Sequence, residues 1–400
     1  MKTGGKRPFE NKPVPKSGKG NGCPHYKKCG GCHLQNMTYQ EQLKFKQVKE
    51  IKLLGKFCHV KEIIGMDNPN YYRCKVQAAF GKDKSGIISG VYQSSTHKIV
   101  PIDSCMIEDR QADEIIVTIR KLLKSFKLTP FNENNMTGFL RHVLIRKGYY
   151  SGQIMVVLVT GTSAFPSSRS FINALIGRHP EITTIVQNIN NKFTSLVLGD
   201  KNITLYGDGY IEDSIIDCTF RISPRSFYQI NPVMTTKLYG KAVEYMGLTG
   251  KETVIDAYCG TGTIGILASK YAKKVIGVEV NNDAVKDARF NAKRNNIENI
   301  EFFTADAGEF MVEMANAGEK ADVVIMDPPR AGSDQKFIDA VSILSPEKIV
   351  YISCNPETLA RDLGYFFKKG YKAKRIQPFD MFPHTNHVET VALLVRTVSA

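Results

Sequence analysis

The sequence predicts an α/β protein in three parts: a cysteine-rich N-terminal segment, a β-rich middle, and a C-terminal doubly wound parallel sheet. Three observations carry this. From residue 221 onward, apolar strands alternate with helical stretches of roughly a dozen residues. Between about 70 and 220, short β-rich runs are separated by Gly, Asn and Ser. Near the start, Cys23, Cys29 and Cys32 stand in a C-x5-C-x2-C pattern.

Residues 1–20, "MKTGGKRPFENKPVPKSGKG", are rich in Gly, Pro and Lys and poor in packing residues, which predicts a flexible basic tail. The cysteine segment, 21–70, continues into "TYQEQLKFKQVKEIKLLGKF", predicted as a helix with an apolar stripe. Over 71–220 the runs "KVQAAFG", "SGIISGVYQ", "GQIMVVLVTG", "TSLVLGD" and "KNITLYGDG" predict mostly antiparallel strands with a helix or two. "GFLRHVLIRKG" adds a strand carrying Arg141, His142, Arg146 and Lys147. Over 221–400 the strands are "ETVIDAY", "KKVIGVEV", "IEFFTAD", "ADVVIMD" and "KIVYIS", with helices such as "TIGILASKYA" and "NDAVKDARFNAKRNN" between them.

Charge narrows the partners. A net charge of +15 points to a polyanion, nucleic acid first. No apolar h-region follows the basic N-terminus, and no stretch approaches the length of a membrane span. Nine cysteines, an odd number in a chain without a leader, read as thiols, metal ligands or a nucleophile, and place the protein in the cytoplasm. Nothing calls for an obligate protein partner.

"VIDAYCGTGTIG" sets Gly260, Gly262 and Gly265 between a strand and a helix, where glycines let backbone approach a ligand. Glu279 ends the next strand, at the distance where a carboxylate takes ribose hydroxyls. Alone, this fits NAD or S-adenosylmethionine. Two details favour the methyl donor: Asp256 sits just before the loop, and "MDPPRAG" places Asp327 beside two φ-locking prolines, a rigid ledge at a later strand end.

The next strand runs into Cys354. Asn355 reads as an N-cap and Pro356 as the first helical residue, so the thiol stands at a helix N-terminus. That position predicts a lowered thiol pKa and a nucleophile rather than inert packing. Further on, "FDMFPHTNHVETVALLVR" brings His384, His387 and Glu389 before a last apolar strand, and Glu389 is a candidate general base.

"SFYQINP", "DAYCGTGTIG", "GVE", "DPPRAG", "SCNPETLARDL" and "HVETVALL", in this order, together with "YRCKVQ" and "LRHVLIR", resemble the RNA uracil-C5 methyltransferases that use S-adenosyl-L-methionine. The resemblance implies a Rossmann-like methyltransferase domain over 221–400 and an RNA-binding central module. It implies Cys354 as the nucleophile adding to uracil C6 and Glu389 as the base removing the C5 proton. Gln229, Tyr258, Glu279, Asp327 and Asp306 are then the donor-binding positions. Rival readings are a cytosine-C5 methyltransferase, a non-catalytic RNA-binding protein of ribosome assembly, and an NAD-linked oxidoreductase.

Three closely spaced thiols predict a metal site; the spacing leaves zinc and iron–sulfur open, and Cys58, Cys74 or Cys105 as fourth ligand. The chain resembles most the iron–sulfur subgroup acting on 23S rRNA, which implies Cys23, Cys29, Cys32 and Cys105 around a [4Fe-4S] cluster. The T-loop uridine of tRNA is the alternative target. Many such proteins carry an N-terminal β-barrel RNA-binding domain; only the short basic segment precedes Cys23 here, so the expectation is RNA binding through the central module.

Overall fold

The computed structural model describes residues 22–94 and 96–397; the tail expected over 1–20 lies outside them. A single turn, α1 (Tyr26–Cys29), precedes α2 (Tyr39–Leu54). Thr38 starts α2 with a reciprocal cap: its hydroxyl accepts the Glu41 N–H, and the Glu41 carboxylate accepts the Thr38 N–H at 2.7 Å. The helix is where the periodicity puts it, but its buried face is not the apolar stripe expected. Gln42, Lys46, Glu50 and Leu54 are buried in an i, i+4 row, whereas Val48 and Ile51 face solvent. The reason lies far along the chain. Lys46 pairs with Asp380 at 2.5 Å, Gln42 lies 3.2 Å from His384 Nδ1, and the Thr390 hydroxyl donates to Glu50 at 2.9 Å.

The middle of the chain supplies β1 (Lys75–Asp83), β2 (Gly86–Tyr92), β3 (Ile99–Pro101), α3 (Arg110–Ser125), β4 (Leu140–Lys147), β5 (Ile154–Thr160), α4 (Ser168–Ile176), β6 (Ile182–Ile189) and β7 (Lys201–Tyr206). They form one sheet in the order β3-β2-β1-β4-β5-β6-β7. It is antiparallel except for β5 and β6, which α4 joins by the crossover that a parallel pair requires. Side chains alternate across it: Val143, Ile145, Val156 and Leu158 pack with α3 and α4, while Leu144, Met155 and Val157 turn to the other face. The basic residues of β4 are internal. Arg141 donates to the Asn190 and Lys192 carbonyls, Arg146 to those of Pro224 and Ser226, and Lys147 to Asp109.

The run "TSLVLGD", expected as a strand, is a loop. Its backbone is held by side chains instead of a ladder: Asn188 exchanges two hydrogen bonds with Gly199, and Asn190 donates to the Leu196 and Val197 carbonyls.

A hairpin, β8 (Ile211–Ile215) and β9 (Cys218–Ile222), leads into α5 (Pro232–Met246). There follow β10 (Thr253–Ala257), α6 (Thr263–Ser269), β11 (Lys274–Glu279), α7 (Asn282–Arg294), β12 (Ile300–Thr304), α8 (Ala307–Asn316), β13 (Val323–Met326), α9 (Gln335–Leu344), β14 (Lys348–Ser353), α10 (Pro356–Lys368), β15 (Tyr371–Phe379) and β16 (Glu389–Arg396). The second sheet runs β12-β11-β10-β13-β14-β16-β15, parallel through β14, with β16 inserted antiparallel. Strand order reverses between β10 and β13, which opens a crevice beyond their C-terminal ends. This is the doubly wound α/β architecture predicted. One apolar cluster joins the inner face of the first sheet to β8, β9, α5 and the second sheet, so the two sheets share a core.

Candidate active site

The parallel strands β10, β11, β13 and β14 end at Ala257, Glu279, Met326 and Ser353, and the loops that leave them lie on one sheet edge. After β10 the backbone turns sharply: Tyr258 has φ 66°, Gly260 54° and Gly262 80°. A tyrosine held in this left-handed region costs about 1–3 kcal/mol, the kind of strain that collects at binding sites. Gly262 must lack a side chain, because a Cβ would lie 2.8 Å from the Phe302 ring. The Asp256 carboxylate accepts the Gly265 N–H at 2.7 Å and so shapes the loop. Glu279 accepts the N–H groups of Gly260 and Asn281 at 3.1 and 2.8 Å. Tyr258 packs on Phe337 with ring centroids 5.4 Å apart, and its hydroxyl lies 3.5 Å from that of Ser333. Asp306 caps α8 by accepting the Glu309 N–H at 3.0 Å, within electrostatic reach of Tyr258.

Cys354 and Glu389 are brought together by register. The β14–β16 ladder ends with Ser353 opposite Thr390, so Cys354 and Glu389 are the residues just beyond it on the two strands, and Glu389 is near enough to raise the Cys354 thiol. Asp327 follows β13, whose Met326 lies beside Tyr351 of β14. Burial is the main cause of every shift here. It pushes the Asp327 and Asp256 carboxyls up to about 7 and Glu389 well above the carboxylate range, Asp327 adding to the rise at both of the other two.

Cys354 does not have the lowered pKa expected of a helix N-terminus. Burial, then Glu389, then Asp327, push its thiol up to about 11, with Arg330 opposing. A helix end is worth about 0.3–1 kcal/mol, less than one pKa unit, and is outweighed. The cap itself is as predicted: Asn355 accepts the Glu357 N–H at 3.2 Å and Pro356 opens α10.

The ledge after Asp327 is tied to the same helix. Asn355 donates to the Arg330 carbonyl at 3.1 Å, Arg361 to those of Ala331 and Ser333 at 2.9 Å, and Asp362 accepts the Ser333 N–H and the Tyr351 hydroxyl. Gln229, buried, reaches the same pocket through Tyr239 on α5, whose hydroxyl takes a hydrogen bond from it and is raised by burial and by Asp327, Glu389 and Asp256. The sequence reading missed Tyr239 and Arg330. Adjacency to Asp-Pro-Pro was a usable signal for Arg330; Tyr239 is one buried residue among many on α5. Of the two histidines, His384 is turned toward α2, while His387 lies 3.4 Å from the Arg330 guanidinium and is lowered to about 4, chiefly by burial.

Cys23, Cys29, Cys32 and Cys105 line one cavity of about 310 Å³, with Arg73 and Glu108 in its wall. Burial raises the Cys29 and Cys32 thiols and brings Cys105 up to about 12. Among the described residues, however, no group of three or more His, Cys, Asp or Glu is arranged to hold a metal ion, so the four thiols implied by the resemblance face one cavity without forming a ready ligand set. Cys74 and Cys58 lie elsewhere, Cys74 buried against the Gln229 carbonyl.

The edge therefore gathers four carboxyl groups, Asp256, Glu279, Asp327 and Glu389, beside a thiol; a cationic ligand there would favour their ionised forms, and the thiol is a group that adds to an electrophilic carbon.

Known proteins match this arrangement. The family model for tRNA (uracil-5-)-methyltransferases matches residues 197–397. An RNA methyltransferase of Clostridium acetobutylicum, itself described as uncharacterised, is 45% identical over 381 residues, 94% of this chain and 83% of that protein. Another from Bacillus cereus is 43% identical over 93% of this chain and 82% of its own length. The crystal structure of the Pyrococcus abyssi tRNA (uracil-54, C5)-methyltransferase in complex with S-adenosyl-L-homocysteine superposes with a TM-score of 0.77 at 31% identity, covering 91% of this chain and 86% of that one. Identity of this order, sustained along nearly the whole chain and joined to the family's own signature over its C-terminal half, makes this protein a member of the tRNA (uracil-5-)-methyltransferase family of RNA methyltransferases.

Proposed function

We propose that this protein methylates C5 of a uridine in 23S rRNA, in the cytoplasm, with S-adenosyl-L-methionine as donor. The observation that carries the reading is the β14–β16 register, which sets Cys354 beside Glu389 at the edge holding the glycine loop. Gln229, Tyr258, Glu279, Asp306 and Asp327 would hold the donor. Their carboxylates suit its cationic end, and Glu279 its ribose hydroxyls. Bound there, the donor supplies a methyl group on a positively charged sulfur.

The chain's own groups do the rest. Cys354, half-buried, loses its proton to solvent, and its sulfur bonds to uracil C6. The C5=C6 electrons move toward C5 and O4, making C5 nucleophilic enough to take the methyl group. Glu389 then accepts the C5 proton, the C5=C6 bond re-forms, and the Cys354 sulfur leaves C6. Arg330, with its charge near both residues, favours the thiolate and the carboxylate.

The test is methyl transfer from labelled donor to unmodified 23S rRNA and to unmodified tRNA offered separately, with the products digested to nucleosides. 5-Methyluridine from rRNA alone supports the reading; no label in either RNA overturns it. A tRNA substrate is the second reading, favoured by the Pyrococcus protein's action on uridine 54 of tRNA, and label in tRNA alone selects it.

We also propose that Cys23, Cys29, Cys32 and Cys105 hold a [4Fe-4S] cluster. What supports it is the chemistry of four thiols facing one cavity, which a cluster would have to draw together; the methyl transfer needs no electron, so the role is structural. Anaerobically purified protein should carry bound iron and sulfide. Cys105→Ser protein with undiminished iron would remove Cys105 from the set.

A further inference from the structure

Arg330 follows the Asp-Pro-Pro ledge with an exposed side chain and no salt bridge among the described residues. Its backbone is fixed beside the nucleophile. The Arg330 carbonyl accepts from Asn355, the residue after Cys354, at 3.1 Å and from the Thr358 hydroxyl at 3.4 Å. An arginine held only by its backbone spreads over many rotamers and has to be ordered before its charge can act at one place. Here the guanidinium Nη1 lies 3.4 Å from His387 Nδ1.

His387 is itself held. Its ring stands edge-on to those of His33 and Phe382, with centroids 5.9 and 6.1 Å away, and its backbone N–H donates to the Thr385 hydroxyl at 3.3 Å. His33 is brought there by the main chain: the N–H groups of His33 and Leu34 both donate to the His384 carbonyl, at 2.9 and 3.0 Å. The loop that carries His387 is anchored on α2. Lys46 donates to the Phe382 carbonyl at 3.1 Å, and the Gln42 side chain accepts the His384 N–H at 2.9 Å. The stretch of chain immediately after Cys32 thus backs the ring that meets Arg330.

An arginine only donates, so the His387 nitrogen facing it is the acceptor and the ring's proton sits on Nε2. Burial, then Arg330, His33, Lys46 and Lys49, keep that ring neutral. Arg330 in turn opposes the upward shifts of Cys354 and Glu389, to which Asp327 adds at both, Glu389 at the thiol and Glu50 at Glu389. We propose that His387 is a positioning residue: it accepts a hydrogen bond from Arg330 and holds the guanidinium beside Cys354 and Glu389, with His33 backing the ring. This rests on the Cys354–Glu389 reading of the active site and deepens it, because the cysteine-bearing N-terminal segment becomes part of the active-site wall.

The test reads the thiol directly. In the full chain without RNA, labelling of Cys354 by iodoacetamide is timed by peptide mass spectrometry between about pH 8 and 10, with the half-buried Cys58 as internal reference. Arg330→Ala should slow labelling about tenfold, the equivalent of one unit in the thiol's pKa, and His387→Ala about threefold. His387→Phe keeps a ring but has no acceptor, so it should be as slow as Ala. His387→Asn places an acceptor near the position of Nδ1 and should recover most of the parent rate. His33→Ala should slow labelling in smaller measure, about twofold. Parent rates in His387→Ala or in Arg330→Ala overturn the proposal, and so does a Phe variant that outpaces Asn, which would mean that ring packing alone matters. A parent rate in His33→Ala overturns the backing by the N-terminal segment. Methyl transfer to rRNA and tRNA is measured on the same samples. A parent protein that transfers to neither overturns the enzyme reading, whereas the labelling rates decide the role of His387 by themselves.

Discussion

Cys354 and Glu389 each carry a proton that the proposed chemistry requires them to give up first. Burial raises both, Asp327 adds to each, and Glu389 raises the Cys354 thiol further. Both groups are needed in the deprotonated form, so methyl transfer should fall as pH drops through the neutral range, checked by single-turnover rates at saturating donor. Cys354→Ala should abolish transfer, by about 10⁴-fold or more, since no other group supplies the bond to C6. Titration with S-adenosyl-L-homocysteine should show donor binding intact. Glu389→Gln should stall after methylation, leaving a protein–RNA adduct that survives a denaturing gel; normal turnover with no adduct would reassign the base. Asp327 provides a stability test. Its carboxyl is raised from 3.8 to about 7, so the folded state binds more protons than the unfolded one between those values. Its contribution is fully present below the lower value and is lost as pH rises through the higher. Asp327→Asn should therefore raise the melting temperature clearly near pH 8 and hardly below about pH 3.5, on either side of the shifted range.

At the scale of elements, α2 shows how a helix can be right in extent and wrong in face. Its apolar residues Val48 and Ile51 are exposed because Gln42, Lys46 and Glu50 have partners across the interface, each more than three hundred residues away in sequence. Removing one member leaves the other charged and dry. Lys46→Ala strands Asp380, whose Oδ2 already has no partner, and should cost about 3–5 kcal/mol by chemical denaturation. The loop "TSLVLGD" is the converse case. Its alternation is strand-like, yet Asn188 and Asn190 satisfy its backbone and leave Phe193 and Leu196 outside. No local pattern announces that a side chain will replace a ladder. By contrast α10 was legible to the residue, because an Asn cap and a Pro at the first turn act within four residues.

Across the whole molecule, the apolar cluster running from the first sheet through β8, β9 and α5 into the second makes the two sheets one packed unit. No helix among the described residues is long and apolar enough to cross a membrane. With a charge of +15, RNA affinity should fall steeply with salt. A plot of log affinity against log salt should be linear with a slope near −0.7 for each phosphate neutralised on single-stranded RNA. A flat plot would mean that the basic surface does not meet the backbone.

The sequence by itself determined the alternating strands and helices of 221–400, the glycine loop and the capped helix behind Cys354. All of these rest on interactions within a few residues, or on a repeat that hydrophobic burial enforces. Tertiary structure decided the rest: the polar face of α2, the raised thiol, Tyr239 and Arg330 at the site, and the pairing of Cys354 with Glu389. A sheet register brings the last two together across thirty-five positions, and burial then sets their charge. Neither register nor dielectric environment is a property of any short stretch, because each depends on which other parts of the chain exclude water there.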